Sequence, residues 1–265
     1  MLVLLLLLLA HPLRAQTTAG DSTSRPWNGK SCAVVLTYDD AIDADLDNII
    51  PALDSLGLRG TFYIIGSAPA VSRRMSEWRA AAARGHELGN HALFHPCDGS
   101  LPGRSWITPD IDLSKYTVTR AVAEIRVNNT LLKAIDGKDR RTFAYPCGDL
   151  TIGGVRFYDG LRGDFAGARG VTGILRTPDK VDLDNIPAFA IEDRPASYMI
   201  DLVRQAMETH TLLVFLFHGV GGGHAINEGR AEHLELLRFL KAHEDQVWVA
   251  PMVEVADWIR SISSP

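Results

Sequence analysis

Two stretches of this chain, Cys32-Ala-Val-Val-Leu-Thr37 and Leu212-Leu-Val-Phe-Leu-Phe217, are almost uninterrupted runs of apolar residues. A strand with one wet face alternates polar and apolar residues, whereas a strand buried on both faces reads as a continuous apolar run. Both stretches therefore read as strands of a parallel sheet covered by helices. The intervening sequence agrees. Leu46, Ile49, Ile50 and Leu53 recur at helical spacing and Gly57 stops that helix. Thr61–Ile65 reads as the next strand, Ser72 as the cap of a helix through Ala83, and Glu87–Asn90 as a short strand. Residues 96–116 read as a long loop containing Trp106. A helix over Thr117–Ile135 is followed by a short strand over Thr142–Tyr145, stopped by Pro146. Strands at 186–191 and 247–250 and helices at 196–209, 229–243 and 252–262 complete the alternation. Strands alternating with helices, without repeats, predict one α/β domain with a parallel sheet or barrel, in which chemistry sits at the C-terminal strand ends.

Of the 265 residues, 46% are hydrophobic, enough for a sizeable core. The net charge of −5 lacks the basic excess of a nucleic-acid-binding protein. The glycine loop Gly219-Val-Gly-Gly-Gly-His224 lacks the Gly-Lys-Ser/Thr ending of a phosphate cradle, which argues against a nucleotide site. Leu2–Ala10 is nearly pure leucine but too short to span a bilayer, which takes about 20 apolar residues. It reads as the core of a signal peptide over residues 1–15, followed by a linker over 16–29 and a catalytic domain over 30–262. That reading implies a secreted or periplasmic protein, free of the membrane once the leader is cleaved.

Three motifs fall at strand ends. Asp39 and Asp40 close the first strand; adjacent carboxylates repel unless a cation or a proton intervenes, although one of them capping the next helix is the plainer reading. His91 and His95 stand four residues apart, which puts both imidazoles on one face of a helical turn, within reach of one ion. An aspartate with two histidines leaves positions open for water, and water on such a metal ionises near neutral pH. His218 ends the strong strand at 212–217, where an imidazole serves as an acid or base, or as a hydrogen-bonded core residue. His210, His233 and His243 read as surface residues on or near helices, His86 as a structural hydrogen-bonder, and His224 as a loop residue.

Together these motifs resemble those of the polysaccharide deacetylases, carbohydrate esterase family four, over roughly residues 30–262. Thr37-Tyr-Asp-Asp40 is similar to the family's Thr-Phe-Asp-Asp, and His91-Ala-Leu-Phe-His95-Pro96 to its His-x-x-x-His-Pro. Thr142-Phe-Ala-Tyr-Pro-Cys-Gly148 resembles the third motif and Leu216-Phe-His218 the last. The resemblance implies a distorted (β/α) barrel of about seven parallel strands. It implies Asp40, His91 and His95 as ligands of a divalent metal, usually Zn2+, with Co2+ or Ni2+ as alternatives. It further implies Asp39 as general base, His218 as general acid and the Cys147 backbone N–H as an oxyanion donor, the reaction being hydrolysis of acetyl groups on an acetylated glycan. N-acetylglucosamine-type and acetylxylan-type glycans both fit. The other classes in view are a non-catalytic carbohydrate-binding relative, and an amidohydrolase acting on a small non-peptide C–N bond, which a short, closed site without the aromatic loop would favour.

The chain departs from the family where the third motif usually begins with an arginine that orients the base; that place falls to Ala144. Arg141 is expected at the strand start, far from the site, and Arg169, after another candidate strand, is the expected substitute. The cysteines are Cys32, Cys97 and Cys147. Cys32 reads as a buried thiol; Cys97 and Cys147 lie in motifs that should flank the metal and are expected to form a disulfide. Trp106, Trp248 and Trp258 are candidates for stacking on sugar rings, the last two reading rather as core residues of a strand and a helix.

Overall fold

The structure, a computed structural model, describes residues 26–263. The signal peptide and the larger part of the linker read from the sequence lie outside the described residues. Strand β1 (Cys32–Asp39) is buried along its whole length, as its lack of alternation requires. One edge of β1 pairs over six positions with β7 (Leu212–Phe217), from Ala33–Leu212 to Tyr38–Phe217. The other edge is shared: β8 (Val247–Val249) takes Cys32–Val34 and β2 (Thr61–Ile64) takes Thr37–Asp39. Outward from β2 follow β3 (Glu87–Asn90), β4 (Phe143–Ala144) and β5 (Ala168–Arg169); outward from β7 lies β6 (Phe189–Ala190). All these pairings are parallel.

The sheet order β5-β4-β3-β2-β1-β7-β6 is seven strands curled into a distorted barrel, as the family resemblance implied. Its outer edges are joined by one segment. Ile186 donates to the Ala168 carbonyl at 2.7 Å and accepts from Gly170 at 2.8 Å, and three residues later the chain pairs with β7 as β6. This change of partner is why the strand expected over 186–191 is reduced to two ladder residues.

Helices cover the outside through apolar stripes. α5 (Ala196–Thr209) buries Ala196, Met199, Ile200, Val203 and Ala206, and α7 (Met252–Ser263) buries Met252, Val255, Ala256 and Ile259. α4 (Val118–Asp136) begins at Thr117, whose side chain accepts from Arg120 N–H, and ends on Gly137 at φ 73°. The helix expected from Ser72 to Ala83 is two helices, α2 (Pro69–Arg73) and α3 (Met75–Ala83). Proline, already lacking an N–H, starts the first at residue 69, and the Ser72 hydroxyl donates back to the Pro69 carbonyl instead of capping.

Four other sequence expectations meet the packing. α6 (Arg230–Ala242) buries His233 with Leu236, Leu237 and Leu240; this histidine, expected at the surface, hydrogen-bonds the Tyr38 hydroxyl at 2.9 Å. His86 is buried and accepts from Gly60 N–H at 3.1 Å. Cys32 is a free, buried thiol, pushed up to about 12 by desolvation. The packed chain starts before Lys30, where the linker was expected to end: Trp27 is fully buried, donates to the His210 carbonyl at 2.8 Å and packs on Trp258. Trp248 packs on the other side of Trp258, so both tryptophans belong to this cluster at the N-terminal end of β1. Among the described residues no helix is long and apolar enough to cross a membrane.

Candidate active site

The C-terminal ends of β1, β3, β5 and β7 converge on a cleft of about 540 Å³. β1 delivers Asp39 and Asp40, the segment after β3 delivers His91 and His95, β5 delivers Arg169, and β7 ends at His218; all six side chains line the cleft. The backbone there is strained. Among the described residues eight non-glycine residues have positive φ, and five of them, Asp40, Ala41, Ala92, His95 and Cys147, border this cleft or directly follow a residue that does. Such conformations persist only where surrounding structure enforces them, and they concentrate at functional sites.

Asp40, His91 and His95 bring one ligand atom each within 4.8 Å of one another. Oδ1 of Asp40 stands 3.6 Å from His91 Nε2 and 3.7 Å from His95 Nε2; it is buried and has no hydrogen-bond partner. His91 Nδ1 lies 2.9 Å from the Ala144 carbonyl, an acceptor only, so Nδ1 carries the proton and Nε2 turns its lone pair toward Asp40. His95 Nδ1 lies 3.6 Å from the sulfur of Cys97, which has no proton to give, and Nε2 is left as acceptor by the same reasoning. Burial lowers His91 to about 4 and His95 to about 3, so both are neutral at neutral pH, as a metal ligand must be. One orphaned carboxylate oxygen facing two imidazole lone pairs fits a divalent cation of the zinc type.

Adjacent in sequence, Asp39 and Asp40 differ in charge behaviour. Burial and the charge of Asp39 push Asp40 up to about 7. Burial also acts to raise Asp39, but the charge and hydrogen bond of Arg169 outweigh it, and Asp39 is held below the usual carboxylate range. Arg169 and Asp39 form a buried ion pair, and the guanidinium lies over the Tyr63 ring at 5.1 Å. The expected pairing of Arg169 with Asp39 is therefore present, and Arg169 is not a surface salt bridge. Arg141 is buried away from the cleft, on the Leu88 carbonyl and Asp136. Oδ1 of Asp39 and Nδ1 of His218 are both buried without a hydrogen-bond partner.

Cys97 and Cys147 are joined in a disulfide, as expected. Arg104 adds to that tie by pairing with Asp149 and donating to the Cys147 carbonyl at 3.2 Å. The loop so anchored carries Trp106, which is 58% exposed and lines the cleft.

His224, read from the sequence only as a loop residue, lines the cleft. His224 stacks on His218 with ring centroids 4.8 Å apart and planes 14° apart. The available signal was Gly221-Gly-Gly223 just beyond the strand-end histidine: all three glycines have positive φ, which lets the chain turn back sharply onto the strand end.

The comparisons with known proteins agree with this picture. A curated relative, a gellan lyase of a Bacillus species, is 25% identical over 260 residues, which cover 87% of this chain and 9% of that protein. The chain thus spans less than a tenth of that relative's length. Among solved structures, a probable polysaccharide deacetylase from Pseudomonas aeruginosa PAO1 superposes with a TM-score of 0.63 at 14% identity, covering 91% of this chain and 96% of that one. Puue allantoinase superposes with a TM-score of 0.62 at 13% identity, covering 96% and 99%. These two share the fold. Residues 28–152, which include both aspartates, both paired histidines and the bridged cysteines, match the family model for polysaccharide deacetylase.

Proposed function

We propose that this protein hydrolyses acetyl groups from an acetylated poly- or oligosaccharide in a metal-dependent reaction. The observation that carries the reading is the convergence, on one cleft, of Asp40, His91 and His95 with a second, ion-paired aspartate beside them and His218 at the next strand end. Asp40, His91 and His95 would hold the cation, which when bound supplies a Lewis acid for the acetyl carbonyl and acidifies a water. Asp39, kept ionised by Arg169, takes the proton of the attacking water at its unpartnered Oδ1. The Cys147 backbone N–H donates to the developing oxyanion. His218, at the end of β7 and lining the cleft, protonates the departing sugar amine or alcohol. Trp106, exposed at the cleft, offers a ring face to a sugar, which favours a glycan over a small C–N substrate.

Gellan, named for the curated relative, is a polysaccharide, and this supports a polymer as substrate. The leucine-rich start, read as a signal peptide over residues 1–15 ahead of a catalytic domain over 30–262, supports a polymer outside the cytoplasm.

Acetate release from chitooligosaccharides, acetylxylan, peptidoglycan and acetylated gellan, with and without a chelator, tests the reading. Release that stops with chelation and returns with added Zn2+ is expected. Absence of release from every glycan by the metal-replete protein would overturn it in favour of a binding role.

A further inference from the structure

Once Asp40 is assigned to the cation, its second oxygen has no role in that assignment. Oδ1 faces His91 and His95; Oδ2 lies 3.4 Å from Nε2 of His224. Nδ1 of His224 lies 3.0 Å from the Ile226 backbone N–H and 3.2 Å from the Ile226 carbonyl. The tautomer that serves both the Ile226 N–H and the Asp40 carboxylate accepts at Nδ1 and carries its proton on Nε2, toward Asp40. His224 lies outside the group of three whose ligand atoms share a 4.8 Å sphere, and it meets that group through the far oxygen of one member.

The loop that brings it there is built for close return. Gly219–Val220 pairs with Asn227–Glu228, and the Asn227 side chain accepts from Gly222 N–H at 2.7 Å. A Cβ at Gly221 would come within 2.2 Å of the Arg230 side chain, and one at Gly219 within 2.6 Å of the Gly222 carbonyl. The ring is fixed by stacking on His218 as well as by Ile226.

We infer that His224 is a positioning residue for Asp40: its Nε2–H holds Oδ2, and this directs Oδ1 of the carboxylate at the two histidines. A ligand carboxylate with one oxygen tied down by a hydrogen-bond donor is oriented before the cation arrives, and loss of such an outer partner typically costs 10–100-fold in metal affinity. The inference rests on the metal-binding reading above, and the test separates the two.

The test is a titration of metal-free protein with Zn2+ alone, in competition with a chromophoric chelator, for the wild type, His95→Ala, His224→Phe and His224→Gln. Near-ultraviolet circular dichroism without zinc checks that each is folded. His224→Phe keeps a ring against His218 and removes the donor; His224→Gln keeps a donor and removes the ring. Zinc affinity about 10–100-fold below wild type is expected for His224→Phe, and affinity within a few-fold of wild type for His224→Gln. Wild-type affinity in His224→Phe, or equal weakening in both variants, overturns the positioning role while leaving the metal site intact. Should His224→Phe not fold, His224→Ala carries the same expectation. A wild type that binds zinc no better than His95→Ala removes the metal-binding reading, and the inference with it.

Discussion

Asp39, His91, Arg169 and His218 are presented by sheet strands or by residues directly following them, whereas Trp106 and His224 are carried on loops that hang over the same cleft. On the strand side Asp39, His91 and Arg169 are buried, and protonation is set by the surroundings: an ion pair for Asp39, desolvation for His91. On the loop side the side chains are partly exposed and are placed by local devices, a disulfide and an arginine for Trp106, a run of glycines for His224. The contrast suggests a division in which the barrel supplies fixed chemistry and the loops supply orientation and substrate contact.

The largest expected effect breaks the strand side. Arg169→Ala leaves a buried aspartate without its counter-charge, which raises Asp39 and discharges the base as pH falls. The expected result is a fall in kcat on the order of 100-fold or more, with the acidic limb of the kcat/KM profile moved to higher pH and partial recovery in Arg169→Lys. An unchanged kcat and an unmoved limb would remove Arg169 from the catalytic machinery.

A smaller effect concerns the scaffold behind β1. Burial lowers His233 from 6.5 to about 4, and His86 shifts in the same direction. A folded histidine held below its unfolded value is uncharged, so below pH 6.5 the unfolded chain binds a proton that the native state refuses. Stability is therefore complete above pH 6.5 and declines as pH falls toward 4, by on the order of 3 kcal/mol for His233. Unfolding free energies across pH 4–7 for the wild type and His233→Gln check this; the variant should lose part of the slope, and identical slopes would exclude His233 as a source.

The smallest effect sharpens the loop side. Trp106→Ala removes an exposed ring from the cleft without touching the buried groups. KM for a polymeric substrate is expected to rise by roughly tenfold, the equivalent of about 1.4 kcal/mol, with little change in kcat. A loss of kcat at unchanged KM would place Trp106 in the chemistry instead.

The strand side was also the more legible in the sequence. Asp39, Asp40 and His218 stand out because they follow apolar runs, which have few ways to fold, and His91 and His95 because they stand four residues apart. Arg169 was less legible: it follows a two-residue strand, and its partner is 130 positions away, so local pattern carries little of the pairing. His224 was passed over because a histidine in a glycine loop has no periodicity to place it. His233 was misplaced because amphipathic spacing marks the inner face of a helix only when the residue is counted as apolar, and a histidine is not.

By itself the sequence determined the parallel α/β architecture, the strand ends at which the candidate residues gather, and the pairing of His91 with His95 four residues apart. These follow from burial periodicity and side-chain chemistry, which are local. Tertiary structure decided which aspartate is paired with Arg169 and which faces both His91 and His95, that the barrel edges join through Ile186, and that His224 reaches Asp40. Those outcomes depend on hydrogen bonds and charges between residues far apart in the chain, whose strength depends on burial that exists only once the sheet has curled.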